Sequence, residues 1–182
     1  IVFATQLGDC VNDGDTAAYE WANADSAFSL LEGYVTPATP NGMPYGITVG
    51  NHDQTPIGTP RSVGDEGATT LLYNQTFGVS RFQGRTYYGG HYGSNNDNHF
   101  ELFSASGMDF INVALEYDAT SSPERTAVLD WADGLLKTYG SRRAIVTSHH
   151  LLNPNASFGN QGQATYDALK DNPNLFLMLC GH

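Results

Sequence analysis

Four short polar clusters carry the side chains best able to do chemistry: Gly8-Asp9, Gly50-Asn51-His52-Asp53, His149-His150 and Gly181-His182. Each stands directly after a short apolar run, namely Ile1 to Leu7, Tyr45 to Val49, Arg143 to Ser148 and Leu175 to Cys180. Runs of that length and composition read as buried strands. In open α/β sheets the carboxyl ends of strands line the binding crevice, so segments far apart in sequence deliver Asp, Asn and His to one edge. Carboxylate oxygen, amide oxygen and imidazole nitrogen form a mixed ligand set that suits Mn, Fe or Zn better than Ca or Mg. Read from the residues alone, either His149 or His150 could serve as the ligand.

The elements that must position these clusters alternate. Ala17, Trp21, Ala24, Phe28 and Leu31 recur at helical spacing within Thr16 to Glu32, and Gly33 is a plausible stop. Pro37, Pro40, Gly42 and Pro44 mark a loop. Thr55 to Gly67 reads as an irregular loop, and a short helix is expected over Ala68 to Phe77. Thr86 to Tyr92, His99 to Ser104 and Asp109 to Tyr117 read as three consecutive strands. Ser121 or Ser122 would cap a helix that begins at Pro123 and ends near Tyr139-Gly140. A further helix is expected over Gln161 to Lys170. The pattern predicts one layered α/β domain over residues 1–182, with a second, partly antiparallel sheet built from the middle strands.

Taken together and in this order, Gly8-Asp9-Cys10-Val11-Asn12, Gly50-Asn51-His52-Asp53, His149-His150 and Gly181-His182 resemble the motifs of the calcineurin-like metallophosphoesterases. The resemblance implies an α-β-β-α sandwich with two mixed sheets and a metal-dependent hydrolase of phosphate mono- or diesters. It implies that Asp9 bridges two metals, that Asn51, His149 and His182 complete the second-metal set, and that His149 rather than His150 is the ligand. His52 would contact the phosphoryl group and act as general acid, with Asp53 orienting its ring. The family's opening Asp-x-His and the last His of Gly-His-x-His have no counterpart here. The chain is therefore expected to lack the first strand of the family fold, to be part of a longer protein, to hold one metal at most and to have reduced or no activity as it stands. The alternative is a non-catalytic metal- or ligand-binding module on the same fold.

The chemistry accounts for these residue types. Phosphate esters resist hydrolysis because anionic oxygens repel an anionic nucleophile, and a divalent cation both screens that charge and acidifies water. A net charge of −11, from 19 acidic and 8 basic residues among 182, argues against nucleic acid as a partner. It does not exclude a phosphorylated small molecule where a cation reverses the local field. No apolar run is long enough to span a bilayer.

Two sequons, Asn74-Gln-Thr and Asn155-Ala-Ser, and the scarcity of lysine point toward an extracellular or periplasmic protein, with a cytoplasmic one left open. Cys10 and Cys180 read as buried free thiols. His91 and His99 match no motif and read as surface residues. Asn95, Asn96 and Asn98 read as turn formers. Substrate choice is expected to lie in the loops Thr55 to Gly67 and Gly89 to Asn98.

Overall fold

The computed structural model describes residues 1–37, 39–60 and 69–182. In chain order the elements are β1 (Ala4–Gln6), α1 (Ala18–Glu32), β2 (Tyr45–Ile47), a single 3-10 turn (Asn51–Asp53), α2 (Leu71–Phe77), α3 (Val79–Phe82), β3 (Tyr88–His91), β4 (His99–Ala105), β5 (Met108–Leu115), α4 (Pro123–Thr138), β6 (Arg143–Ser148), α5 (Asn160–Leu169) and β7 (Leu175–Leu179). The expected elements are present with ends shifted by a few residues, and α3 is an addition to them. Residues 61–67 of the expected loop and Ala68 of the expected helix lie outside the described residues.

The strands form two sheets. β1 and β2 pair in parallel, and β3-β4-β5-β6-β7 form a five-stranded sheet in that order. The first two ladders of the larger sheet are antiparallel and the last two parallel. The fold is thus a mixed α/β fold, but only the larger sheet is mixed; the smaller is wholly parallel.

Each sheet buries one face against helices, as amphipathic elements must. Ile111, Val113, Leu115, Ala144 and Val146 pack with Val128, Leu129, Ala132 and Leu136 of α4 and Leu169 of α5. Tyr45, Ile47 and Val49 pack with Trp21 and Ala24 of α1, Tyr73 and Phe77 of α2, and Phe82 of α3. Between the sheets Phe3 stacks on Phe103 with ring centroids 4.2 Å apart, and the Thr48 hydroxyl donates to Thr147 Oγ1 at 3.2 Å. That gives four layers, with both sheets inside.

Four expectations need correction. β7 was expected to be buried, yet Phe176 and Leu177 are 47% and 37% exposed. It is the last strand of its sheet and has β6 as its one neighbour, so half its backbone and much of its apolar surface lack cover among the described residues. His99 is wholly buried, not at the surface: its Nδ1 meets the Asn96 carbonyl at 2.8 Å and its Nε2 lies 3.0 Å from Glu101 Oε1. Asn96 and Asn98 do lie in the expected turn-rich stretch, but they are also buried staples; the Asn96 amide donates to the Phe77 carbonyl, and Asn98 Oδ1 accepts from the Glu116 N–H. Burial without such partners would cost more than a turn position could return. The two cysteines are free, as expected, but only half-buried.

Candidate metal centre

All four clusters meet just past strand carboxyl ends as expected; His182 stands three residues beyond β7, as Asp9 stands three beyond β1. The chain leaves β1 through Gly8 at φ +92 and Asp9 at φ +57, both in the left-handed region. Glycine serves at position 8 for a second reason. A Cβ there would stand 2.3 Å from His149 Nδ1, so the absence of a side chain admits the imidazole against the backbone. Gly50 plays the same part on the β2 side, where a Cβ would come within 2.2 Å of Asp9 N and Oδ1. A non-glycine residue held at positive φ, as Asp9 is, occurs chiefly where the surrounding structure enforces it, and such places cluster at functional sites.

Asp53 does the enforcing. Its carboxylate is buried and accepts from four backbone N–H groups: Asp9 at 2.9 Å and Gly50 at 2.8 Å on Oδ2, Cys10 at 2.9 Å and Val11 at 3.2 Å on Oδ1. The Cys10 thiol adds a fifth contact at 3.0 Å. Burial lifts the Asp53 pKa to about 6 against the pull of these donors, so it is ionised at neutral pH. The same burial, with Asp53 beside it, pushes the Cys10 thiol well above its ordinary range. Asp53 therefore clamps the loop after β1 to the turn after β2. It does not orient the His52 ring, as the resemblance implied; the Asn12 carbonyl does, through His52 Nδ1, while the His52 backbone N–H donates to Asp9 Oδ1 at 2.9 Å. The reason is reach: both Asp53 oxygens are already saturated by the backbone.

Around His149 the ligand atoms converge. The ring is buried, and its Nδ1 lies 2.8 Å from the Leu7 carbonyl, which can only accept, so Nδ1 carries a proton. Its other nitrogen, Nε2, faces Asp9 Oδ2 at 3.0 Å, Asn51 Oδ1 at 3.1 Å and His182 Nδ1 at 2.9 Å. One imidazole N–H can satisfy only one of these three neighbours. A cation in their midst would satisfy all four groups, and a metal-ligating His characteristically gives its second nitrogen to a carbonyl in this way. Asp9, His149 and His182 each place a ligand atom within 4.8 Å of the others, so these Asp and His residues could hold a metal ion.

The electrostatics agree with the geometry. Burial alone would raise the Asp9 carboxyl, but the His149 ring and the His52 N–H outweigh it and hold the group below its ordinary value. Burial opposes charge on His149, yet the bond to Asp9 outweighs it and raises the imidazole. His182 is lowered, by burial and by the neighbouring His149 and His150 rings.

His150 stands beside this convergence but is not among its ligand groups. Its ring lies 4.5 Å from that of His182 and stacks on Tyr117 with centroids 6.2 Å apart. Tyr117 also touches the rings of His149 and His182, at 6.1 and 5.9 Å, and sequence reasoning passed over it. The signal was available: Tyr117 closes the run Asp109 to Tyr117, just past the carboxyl end of β5, the strand beside the one that leads to His149. Beside Asp9 and His52 an open cleft of about 470 Å³ runs along α1, walled by Glu20, Asn23, Ala24 and Ala27.

No family model matches the chain. A curated protein of Bacillus subtilis (strain 168), described as uncharacterized protein YvnB, is 30% identical to it over 183 residues. The match covers 100% of this chain and 12% of that protein. The chain thus corresponds to a small part of its much longer relative.

Proposed function

We propose that this chain carries the centre of a metal-dependent hydrolase of phosphate mono- or diesters. One observation carries the reading: three ligand groups from separated segments meet around the Nε2 of a fourth, His149, which lacks protons enough to join them. The donor set fits Mn, Fe or Zn. Asp9, Asn51, His149 and His182 would hold the ion. When bound, it supplies neutralisation of the phosphoryl oxygens and acidification of water.

The chain's own residues do the rest. Asp53 keeps the Asp9 loop and the Asn51 turn in register. The Leu7 carbonyl fixes the His149 tautomer. His52 stands at the cleft with Nδ1 committed to the Asn12 carbonyl, which leaves Nε2 for the substrate. In its protonated form Nε2 donates to the departing oxygen, and in either form the ring lies against the phosphoryl group. The reaction balances on water. Its oxygen bonds to phosphorus, the bond from phosphorus to the alcohol breaks, the alcohol oxygen takes the His52 proton, and the proton released by water passes to solvent.

A metal-holding module without catalysis is the second reading. It is favoured by the convergence of one group of His and Asp side chains among the described residues, where the resemblance implies two metals. The experiment measures manganese affinity by calorimetry and hydrolysis of bis(4-nitrophenyl) phosphate, in the chain and in a form extended by its flanking coding sequence. His149→Ala should abolish tight metal binding. His52→Ala should keep it and lower hydrolysis by about a hundredfold. Metal binding with no hydrolysis in either form would favour the module, and hydrolysis unchanged in both variants would overturn the site.

A further inference from the structure

The cleft beside the candidate centre has a one-sided charge. Asp9 belongs to the candidate ligand set, so the charge left to the cleft itself is Glu20, and no lysine or arginine lines it among the described residues. The cations that could have served are held elsewhere: Arg81 pairs with Asp25 and Glu32, Arg85 pairs with Glu32, and Arg143 lies over the Phe176 ring. Glu20 is fixed in place, because its Oε2 accepts the backbone N–H groups of Asn12 at 2.6 Å and Asp13 at 2.8 Å. Those bonds hold its carboxyl below the ordinary value, so it stays charged. The remaining wall is neutral, with the Asn23 amide and the small side chains Ala24 and Ala27.

We infer that this cleft receives the departing alcohol of the phosphate ester, and that it selects against alcohols bearing a further anion. The inference rests on the hydrolase reading above. His52 fixes the direction, since the group that protonates the leaving oxygen lines the same cleft. An alcohol carrying a carboxylate or a second phosphate suits the Glu20 wall poorly, because nothing along α1 is placed to neutralise it. A neutral polyol, a nucleoside or an amino alcohol meets amide, methyl and carboxylate groups that accept it.

The test compares kcat/KM, with manganese present, for phenyl 4-nitrophenyl phosphate and for the same diester with a carboxylate on the nitrophenol ring. The carboxylate should cost about tenfold, toward the low end of the range that one like charge about 4 Å away spans between bulk water and a protein surface, as suits the open cleft and the partly exposed Glu20. Raising the salt should shrink the difference by screening. Glu20→Gln, which keeps an acceptor oxygen for the loop, should reduce it to about threefold, and Asn23→Lys should erase or reverse it. Hydrolysis of both esters at equal rates, or a difference that neither variant nor salt alters, overturns the inference and leaves the hydrolase reading intact. No hydrolysis of either ester with metal bound removes both.

Discussion

His149 Nε2 is contested by a proton and a cation, and that competition links the site to pH. In the metal-free chain the proton bridges His149 to Asp9, and the His149 pKa is raised above its unfolded value. A raised imidazole stabilises the fold fully below its ordinary pKa of about 6.5, and that contribution is lost as pH rises through the raised value. Asp9, held low, contributes stability that is present above 3.8 and lost as pH falls through its lowered value. The pair's window therefore opens at the depressed carboxyl and closes at the elevated imidazole. A divalent ion held by this group of side chains would take the place of the bridging proton and would bind more tightly as that proton leaves. The metal-free chain should lose melting temperature as pH rises above the ordinary imidazole pKa of about 6.5, while the manganese-loaded chain should hold or gain it over the same range. Parallel calorimetric scans across that range check the prediction. Losses of equal size in the two forms would mean that proton and metal do not share the nitrogen.

At the scale of elements, the site depends on where strands stop. β1 ends in a left-handed step at Gly8 and Asp9, and the step is possible because position 8 has neither a Cβ nor a preference for negative φ. Gly8→Ala brings a methyl to 2.3 Å from His149 Nδ1 and imposes strain at φ +92 together. The two costs should sum to several kcal/mol, on the order of 3, read as a lower urea midpoint with an unchanged slope, and manganese affinity should fall with it. A variant that keeps full stability and affinity would show that the close approach is not needed. This step was legible only in part. The Gly-Asp pair after an apolar run was visible, as were the Ser122 cap, which accepts the Arg125 N–H at 3.0 Å, and the strand–helix alternation, because these are local signals of composition and spacing. The role of Asp53 was not visible, since its partners at Asp9, Cys10 and Val11 lie more than 40 residues away and are backbone groups without a sequence signature. The buried His99–Glu101 pair and the Asn96 staple escaped for the same reason. Polar residues in a turn-rich stretch look solvated until the fold closes over them.

The whole molecule sets an acidic field against an unfinished edge. With a net charge of −11, two copies repel one another at low ionic strength. β7 works in the opposite direction. It is the last strand of the larger sheet, and Phe176 and Leu177 expose apolar surface beside backbone groups that no described strand pairs. An edge of this kind accepts another strand wherever repulsion allows. Salt screens the repulsion over roughly 10 Å at 0.1 M and over about 3 Å at 1 M, while the apolar contribution is undiminished. Association should therefore increase from low to high sodium chloride, the reverse of a charge-driven contact. Leu177→Lys places a charge on the edge strand and should suppress the association at every salt concentration, without altering manganese affinity, because the residue belongs to the strand and not to the ligand set. Sedimentation velocity at 0.05 and 0.5 M salt distinguishes the outcomes. Association that weakens with salt, or that persists in Leu177→Lys, would place the contact on a charged surface and leave the β7 edge without a part in it.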